Sequence, residues 1–302
     1  MAFDGRQGPL SLRRILLLPI VASGLAAAPP ASAAELRGGG KLLLTDGVTS
    51  LEGAAVGGLS SWALIAGRAT DAGIGGGGHF TYAATDDFDL TAYGAKLGLF
   101  DRFELSWARQ SLDTGAAGAG LGLGRGFTFG QHVFGAKLRV AGDAVYGQDR
   151  LLPQLAIGVQ HKVADESAVL RALGAHSRSG TDFYLAATKV LLGEGAVVNA
   201  TARLTKANQF GLLGHGGGRG ADYSLQLEGS AGVLLSRRLL VGGEYRTRPD
   251  NLDFAKEQDA LDLFAAFAIA RNFTLTAAWI DLGGIANLTG QHGATLSLQA
   301  AF

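Results

Sequence analysis

Apolar and polar residues alternate along most of this chain. Thr91, Tyr93, Ala95, Leu97 and Leu99 face one way, Gly94 and Lys96 the other. Phe103, Leu105 and Trp107 oppose Glu104, Ser106 and Gln110. The same contrast sets Phe134, Ala136, Leu138 and Val140 against Lys137 and Arg139, and Leu155, Ile157 and Val159 against Gln160 and Lys162. Val198, Ala200, Ala202 and Leu204 oppose Asn199, Thr201 and Arg203. Further on, Glu228, Glu244, Arg246, Arg248 and Asp262 all fall on the polar parity. The final stretch puts Leu296, Leu298, Ala300 and Phe302 against Thr295, Ser297 and Gln299. A period of two over about ten residues predicts β-strands with two unlike faces.

A water-soluble β-sandwich and a membrane β-barrel both alternate. The connections favour the barrel. Phe100–Arg102, Gly193–Glu194, Ser236–Arg237 and Ala270–Asn272 are tight turns. Between them lie long connections, including 114–130, 163–181, 207–221, 249–258 and 283–291. Tight periplasmic turns alternating with long outer loops characterise outer-membrane barrels. Phe103, Phe273 and Phe302 fall at the tight-turn end, as an aromatic girdle requires. The fold class expected is therefore all-β, a single up-and-down antiparallel transmembrane barrel. Thirteen strands are readable, the earliest over Leu59–Arg68. Strand parity calls for one more, as a first strand or a luminal segment within residues 34–58 ahead of the barrel over 59–302, so about fourteen strands are expected. Twelve is the alternative, if the weak strand around Ala63 or the one around Tyr82 is not one. The connection 142–152 is long for a periplasmic turn, and residues 165–176 suit a short helix in an outer loop.

Residues 1–33 read as a secretory signal peptide. Arg6, Arg13 and Arg14 precede an apolar run, and Ala31-Ser32-Ala33 offers small residues for cleavage, after Ala33 or Ala34. Lys plus Arg and Asp plus Glu each number 26, so no basic footprint for nucleic acid exists. There is no cysteine, which excludes disulfides and thiolate chemistry. No apolar run after the signal reaches the length of about 20 residues that a spanning helix needs. A membrane location then requires a closed sheet, because lipid cannot satisfy open backbone groups.

Several blocks carry a resemblance to a known family. They are Gly40–Thr45, Trp62–Ile65, Phe103–Ser106 with Ala108–Ser111, Gly180–Lys189 and Arg203–Gly211. They resemble a proteobacterial outer-membrane barrel family known only as a domain of unknown function. The resemblance implies location and fold and supplies no catalytic residues. The alternating end on Leu296, Leu298, Ala300 and Phe302 likewise resembles the signal that the barrel-assembly machinery reads. It implies that machinery, periplasmic chaperones and outer-membrane lipid as partners.

Chemistry is sparse. The six histidines form no H-E-x-x-H pattern and no close pair, and no metal site or cofactor is expected. No P-loop and no G-x-S-x-G elbow occurs. Asp86, Asp87 and Asp89 cluster in an expected outer turn. The lumen is the better candidate site. Lys96, Lys137, Arg139, Lys162, Arg203, Arg246 and Arg248 face inward with Glu104, Glu228, Glu244 and Asp262, a mildly basic lining. These charges either line an anion-favouring pore or pair across the lumen and fill it. The leading expectation is a passive channel for small solutes. The alternatives are a non-conducting envelope barrel serving assembly or export, and a barrel enzyme acting on lipid or peptide.

Overall fold

A computed structural model describes residues 40–302 apart from positions 56, 71 and 72. The expected signal peptide and its cleavage site lie outside the described residues. Twelve strands form among them: β1 (Ile74–Thr85), β2 (Asp89–Leu99), β3 (Phe103–Asp113), β4 (Thr128–Ala141), β5 (Gln154–Ala164), β6 (Ser179–Leu191), β7 (Ala196–Thr205), β8 (Ser224–Ser236), β9 (Leu239–Arg246), β10 (Ala260–Ala270), β11 (Phe273–Asp281) and β12 (His292–Ala301). Each pairs antiparallel with its chain neighbours, and β1 pairs with β12, so the sheet closes. Closure leaves no edge of unpaired N–H and C=O groups, the condition for a sheet in hydrocarbon.

The strand faces are inverted relative to a soluble protein. Along β10, Leu261, Leu263, Phe267 and Ile269 are exposed while Asp262, Phe264, Ala266 and Ala268 are buried. Every one of the twelve strands shows at least one large apolar side chain on its exposed face, from Phe80 on β1 to Leu296 and Leu298 on β12. A continuous apolar band of this kind belongs against lipid. Phe100, Phe103, Phe273 and Phe302 are exposed at the tight-turn end, the periplasmic end by the rule above.

Of the two counts expected, the alternative of twelve strands holds and the leading count of fourteen does not. The strand read over Leu59–Arg68 does not form, and neither does a first strand in residues 41–55. Both stretches lie inside the barrel, where the wall's backbone groups are already spent on neighbouring strands. The strand around Tyr82 is real and is β1. The long connection 142–153 folds under the periplasmic mouth. Asp143 Oδ1 accepts the Val145 N–H at 2.8 Å, Val190 donates to Ala144 O at 2.8 Å, and Ala144 and Val145 pack with Trp62 and Leu64. The outer loops hold two short helices, α1 (Ala117–Gly120) and α2 (Ser167–Ala172), the second where the sequence placed one.

Leu185 stands exposed midway along β6. Leu185→Arg is expected to cost about 2–4 kcal/mol in urea unfolding from lipid vesicles, with Leu185→Ala costing far less.

Candidate functional site: a plugged lumen

Residues 40–55 enter the barrel at the periplasmic end, climb toward the outer end and turn near Glu52, and residues 57–70 descend. Lys41 marks the entry, with its Nζ 2.6 Å from Asp101 in the β2–β3 turn. Arg68 marks the exit, where its N–H donates to Phe302 O at 2.9 Å. This plug has almost no secondary structure of its own. Its backbone is held by wall side chains. Ser50 O accepts from Thr81 Oγ1 at 2.8 Å, and Leu51 O accepts from Gln110 Nε2 at 2.8 Å. The Leu59 N–H donates to Glu244 at 2.7 Å, Ser61 N–H to Glu228 at 2.7 Å and Ala63 N–H to Thr188 at 2.7 Å. Glu104 accepts the N–H groups of Ala55 and Ala66, while Lys137 donates to Ala55 O and Leu64 O. Lys96 donates to Asp46 O at 2.9 Å. The fit is close: a Cβ on Gly57 would lie 1.6 Å from Glu244 Oε1, so any other residue there would force that carboxylate to move.

One plug side chain enters a buried charge network. Glu52 Oε1 lies 2.5 Å from Lys162 Nζ, and Oε2 lies 3.3 Å from Arg246 and 3.9 Å from Arg203. Asp182 bridges Lys162 (3.0 Å) and Arg203 (3.3 Å), and Glu228 contacts Arg203 and Arg246. Three basic and three acidic side chains therefore balance, and one of the three acids belongs to the plug. Trp62 anchors the descending limb, its Nε1–H donating to Ser230 at 2.9 Å and to Glu244 at 3.2 Å.

Of the eleven inward residues named from sequence, ten are buried and meet the plug or the outer loops. Lys96, Glu104, Lys137, Lys162, Arg203, Glu228, Glu244 and Arg246 hold the plug. Asp262 is the cross-strand neighbour of Glu244 and faces Gly58. Arg248 instead binds the outer loops, through Gln258 O, Gln209 and Leu282 O. Arg139 is half-buried at the periplasmic end, paired with Asp101 and Asp143. Leu296, Leu298, Ala300 and Phe302 share the outer face, with Leu296, Leu298 and Phe302 exposed there. Sequence reading missed Glu52 and Asp182. Glu52 is the one charged residue between Val48 and Leu64. Asp182 sits between Phe183 and Thr181 on the inward parity, opposite Leu185 and Phe183, and its parity alone would have placed it.

The outer mouth is capped. Phe88, Leu112, Phe129, Leu170, Leu212, Leu213, Leu252 and Ile285 form one buried apolar cluster from the loops and strand ends. Arg246 and Arg248 lie 4.7 Å and 5.2 Å from the ring of Phe210, which descends from the β7–β8 loop. Among the described residues no three His, Asp or Glu side chains converge to hold a metal. The Asp86–Asp89 turn is tied down through Gln291 and Tyr82 instead.

Burial pushes the Glu257 carboxyl in this cap up to about 7, against the opposing pull of Arg248. The folded cap thus favours the protonated acid. Its contribution is full below the unfolded value of 4.5 and is lost as pH rises through about 7. Relative to the intrinsic exchange rate at each pH, amide protection in residues 247–259 is expected to be greater at pH 5 than at pH 8, and Glu257→Gln should flatten that difference.

No curated protein matches the chain significantly in sequence. Solved structures with a similar fold include the KdgM porin (9% identity, TM-score 0.48, covering 75% of this chain and 99% of that one). The COG4313 outer membrane channel from Pseudomonas putida F1 is also similar (12% identity, TM-score 0.46, 76% and 95%). So is outer membrane phospholipase A from Escherichia coli (12% identity, TM-score 0.43, 74% and 92%). Residues 45–299, from the plug through β12, match the family described as "Protein of unknown function (DUF3034)", and the chain belongs to that family.

Proposed function

We propose that this protein is an outer-membrane channel for small solutes that its own plug closes at rest, without enzymatic activity. The observation that carries the reading is the chemistry of the plug–wall contact. A lumen that only had to be filled would be served by apolar packing, which is often more stable than buried ion pairs. Here wall and plug meet largely through charges and hydrogen bonds, with an apolar patch around Trp62 and Leu64 confined to the periplasmic half. Both surfaces can therefore be hydrated once separated, so the plug can leave at a cost that water largely refunds. With Glu52 withdrawn, Lys162, Arg203 and Arg246 outnumber Asp182 and Glu228, and the opened lumen favours anions. Lipid outside and the aromatic-ended β12 support insertion into the outer membrane by the barrel-assembly machinery, after delivery by periplasmic chaperones.

One observation favours a second reading. The outer mouth is sealed by packed loops as well as by the plug, which suits a non-conducting envelope barrel acting as an assembly or export partner. Reproducible co-purification with other envelope proteins, together with silence in bilayers, would select it.

Planar-bilayer recording tests the first reading. The intact protein is expected to stay mostly closed. Glu52→Gln leaves a buried basic excess, a loss of about 3–5 kcal/mol from the plug contact, and should raise the open fraction at least tenfold. Its reversal potential in a salt gradient should show anion preference, weakened by neutralising Arg246 and Arg248. A heat-modifiable, folded Glu52→Gln barrel that stays silent would overturn the reading.

A further inference from the structure

A small chamber of about 50 Å³ lies between the top of the plug and the outer cap. Leu51 and Leu59 of the plug form its floor, Leu90 and Leu112 its wall, and Phe210 and Ile285 its roof. Polar side chains also border it, yet each is turned toward a protein partner. Gln110 donates to Leu51 O and accepts from Gln131. Gln209 donates to Gly284 O and accepts from Arg248. Thr85 bonds Gln291 and Phe88 O, while Glu52 and Arg246 are bound to each other and to the wall network. A buried water needs two to four polar partners, and the chamber presents almost none. The space has room for about three or four waters by volume but not the groups to hold them. Apolar cavities of this kind stay dry and take apolar guests.

The roof carries the strained backbone. Gln209 and Phe210 hold φ of 46° and 59°, left-handed values that cost non-glycine residues energy and cluster at clamps and switches. That turn lowers the Phe210 ring between two guanidinium groups and over the chamber. The plug supplies the floor, so the chamber exists only while the plug is in place.

We infer that this chamber is a binding site for small apolar molecules, on the scale of a single hydrocarbon ring when Phe210 swings aside. The site does not rest on conduction: it belongs to the plugged state, whether or not that state opens. Its walls offer no charged or hydrogen-bonding group to a sugar or an organic acid.

Benzene is the probe. It is titrated into the full chain in lipid nanodiscs while the loss of the heat-modifiable folded form is followed. At ten times the dissociation constant, the ratio of folded to unfolded protein should rise about tenfold. Ala83→Leu, a buried wall residue of β1 that borders the chamber, fills the space and should abolish the rise. Leu90→Phe does the same from β2, should the first variant not fold. Xenon under pressure should give one crystallographic site in the chamber, absent from the filled variant. An equal rise in wild type and in a folded, filled variant would mean partition into lipid and would overturn the proposal. So would no rise at all, or an equal rise with glucose. Saturable benzene binding by a barrel that never conducts would leave the site standing and remove the channel reading.

Discussion

The interior of a closed sheet holds no spare backbone partners, and the rest of this structure follows from that constraint. Wall N–H and C=O groups pair between neighbouring strands, apart from irregular register in three strand pairs. A segment threaded through the lumen cannot add itself as another strand, yet its own amides cannot stay unpaired once water is excluded. Side chains must answer for them. Thr81, Gln110, Lys137, Thr188, Glu228 and Glu244 do so here, from strands spread around the barrel. This explains both an irregular plug and an ionic lining. The lining is polar because the plug's backbone is.

The same arrangement decides how the plug is held. Apolar clusters seal both ends, with Trp62 and Leu64 near the periplasm and the loop cap outside. Between them lies a charge layer that is neutral only with Glu52 present. Apolar ends exclude solvent from that layer, which strengthens each pair and raises the cost of removing any single partner. Loosening one end would admit water and weaken the layer together with its grip. The plug is thus poised as a unit, with its carboxylate as the group on which the balance turns.

Much of the architecture was readable from alternation. The outward faces of β2 to β12 follow the apolar parity residue by residue, because lipid on one side and polar groups on the other leave a period of two intact. The parity of Lys96, Lys137 and Glu228 gave their inward direction for the same reason. The strand count failed where that logic stops. In Leu59–Arg68, Trp62, Leu64 and Ala66 resemble a strand face, but residues 59–67 are all enclosed, so neither parity faces lipid. Gly57 comes close to Glu244 and Gly58 to Asp262, contacts far away in sequence that no local pattern announces. The pairing of Glu52 with Arg246 spans most of the chain and becomes visible only once the barrel closes.

The most direct test of this account is the solvent accessibility of the plug in the folded barrel. The chain lacks cysteine, so a single Ser50→Cys or Ser61→Cys gives a clean reporter at a position that is fully enclosed. In outer membranes holding heat-modifiable, folded protein, both thiols should resist a polar maleimide until urea unfolds the barrel. Prompt labelling of the folded protein at either position would show a water-filled lumen and contradict the account.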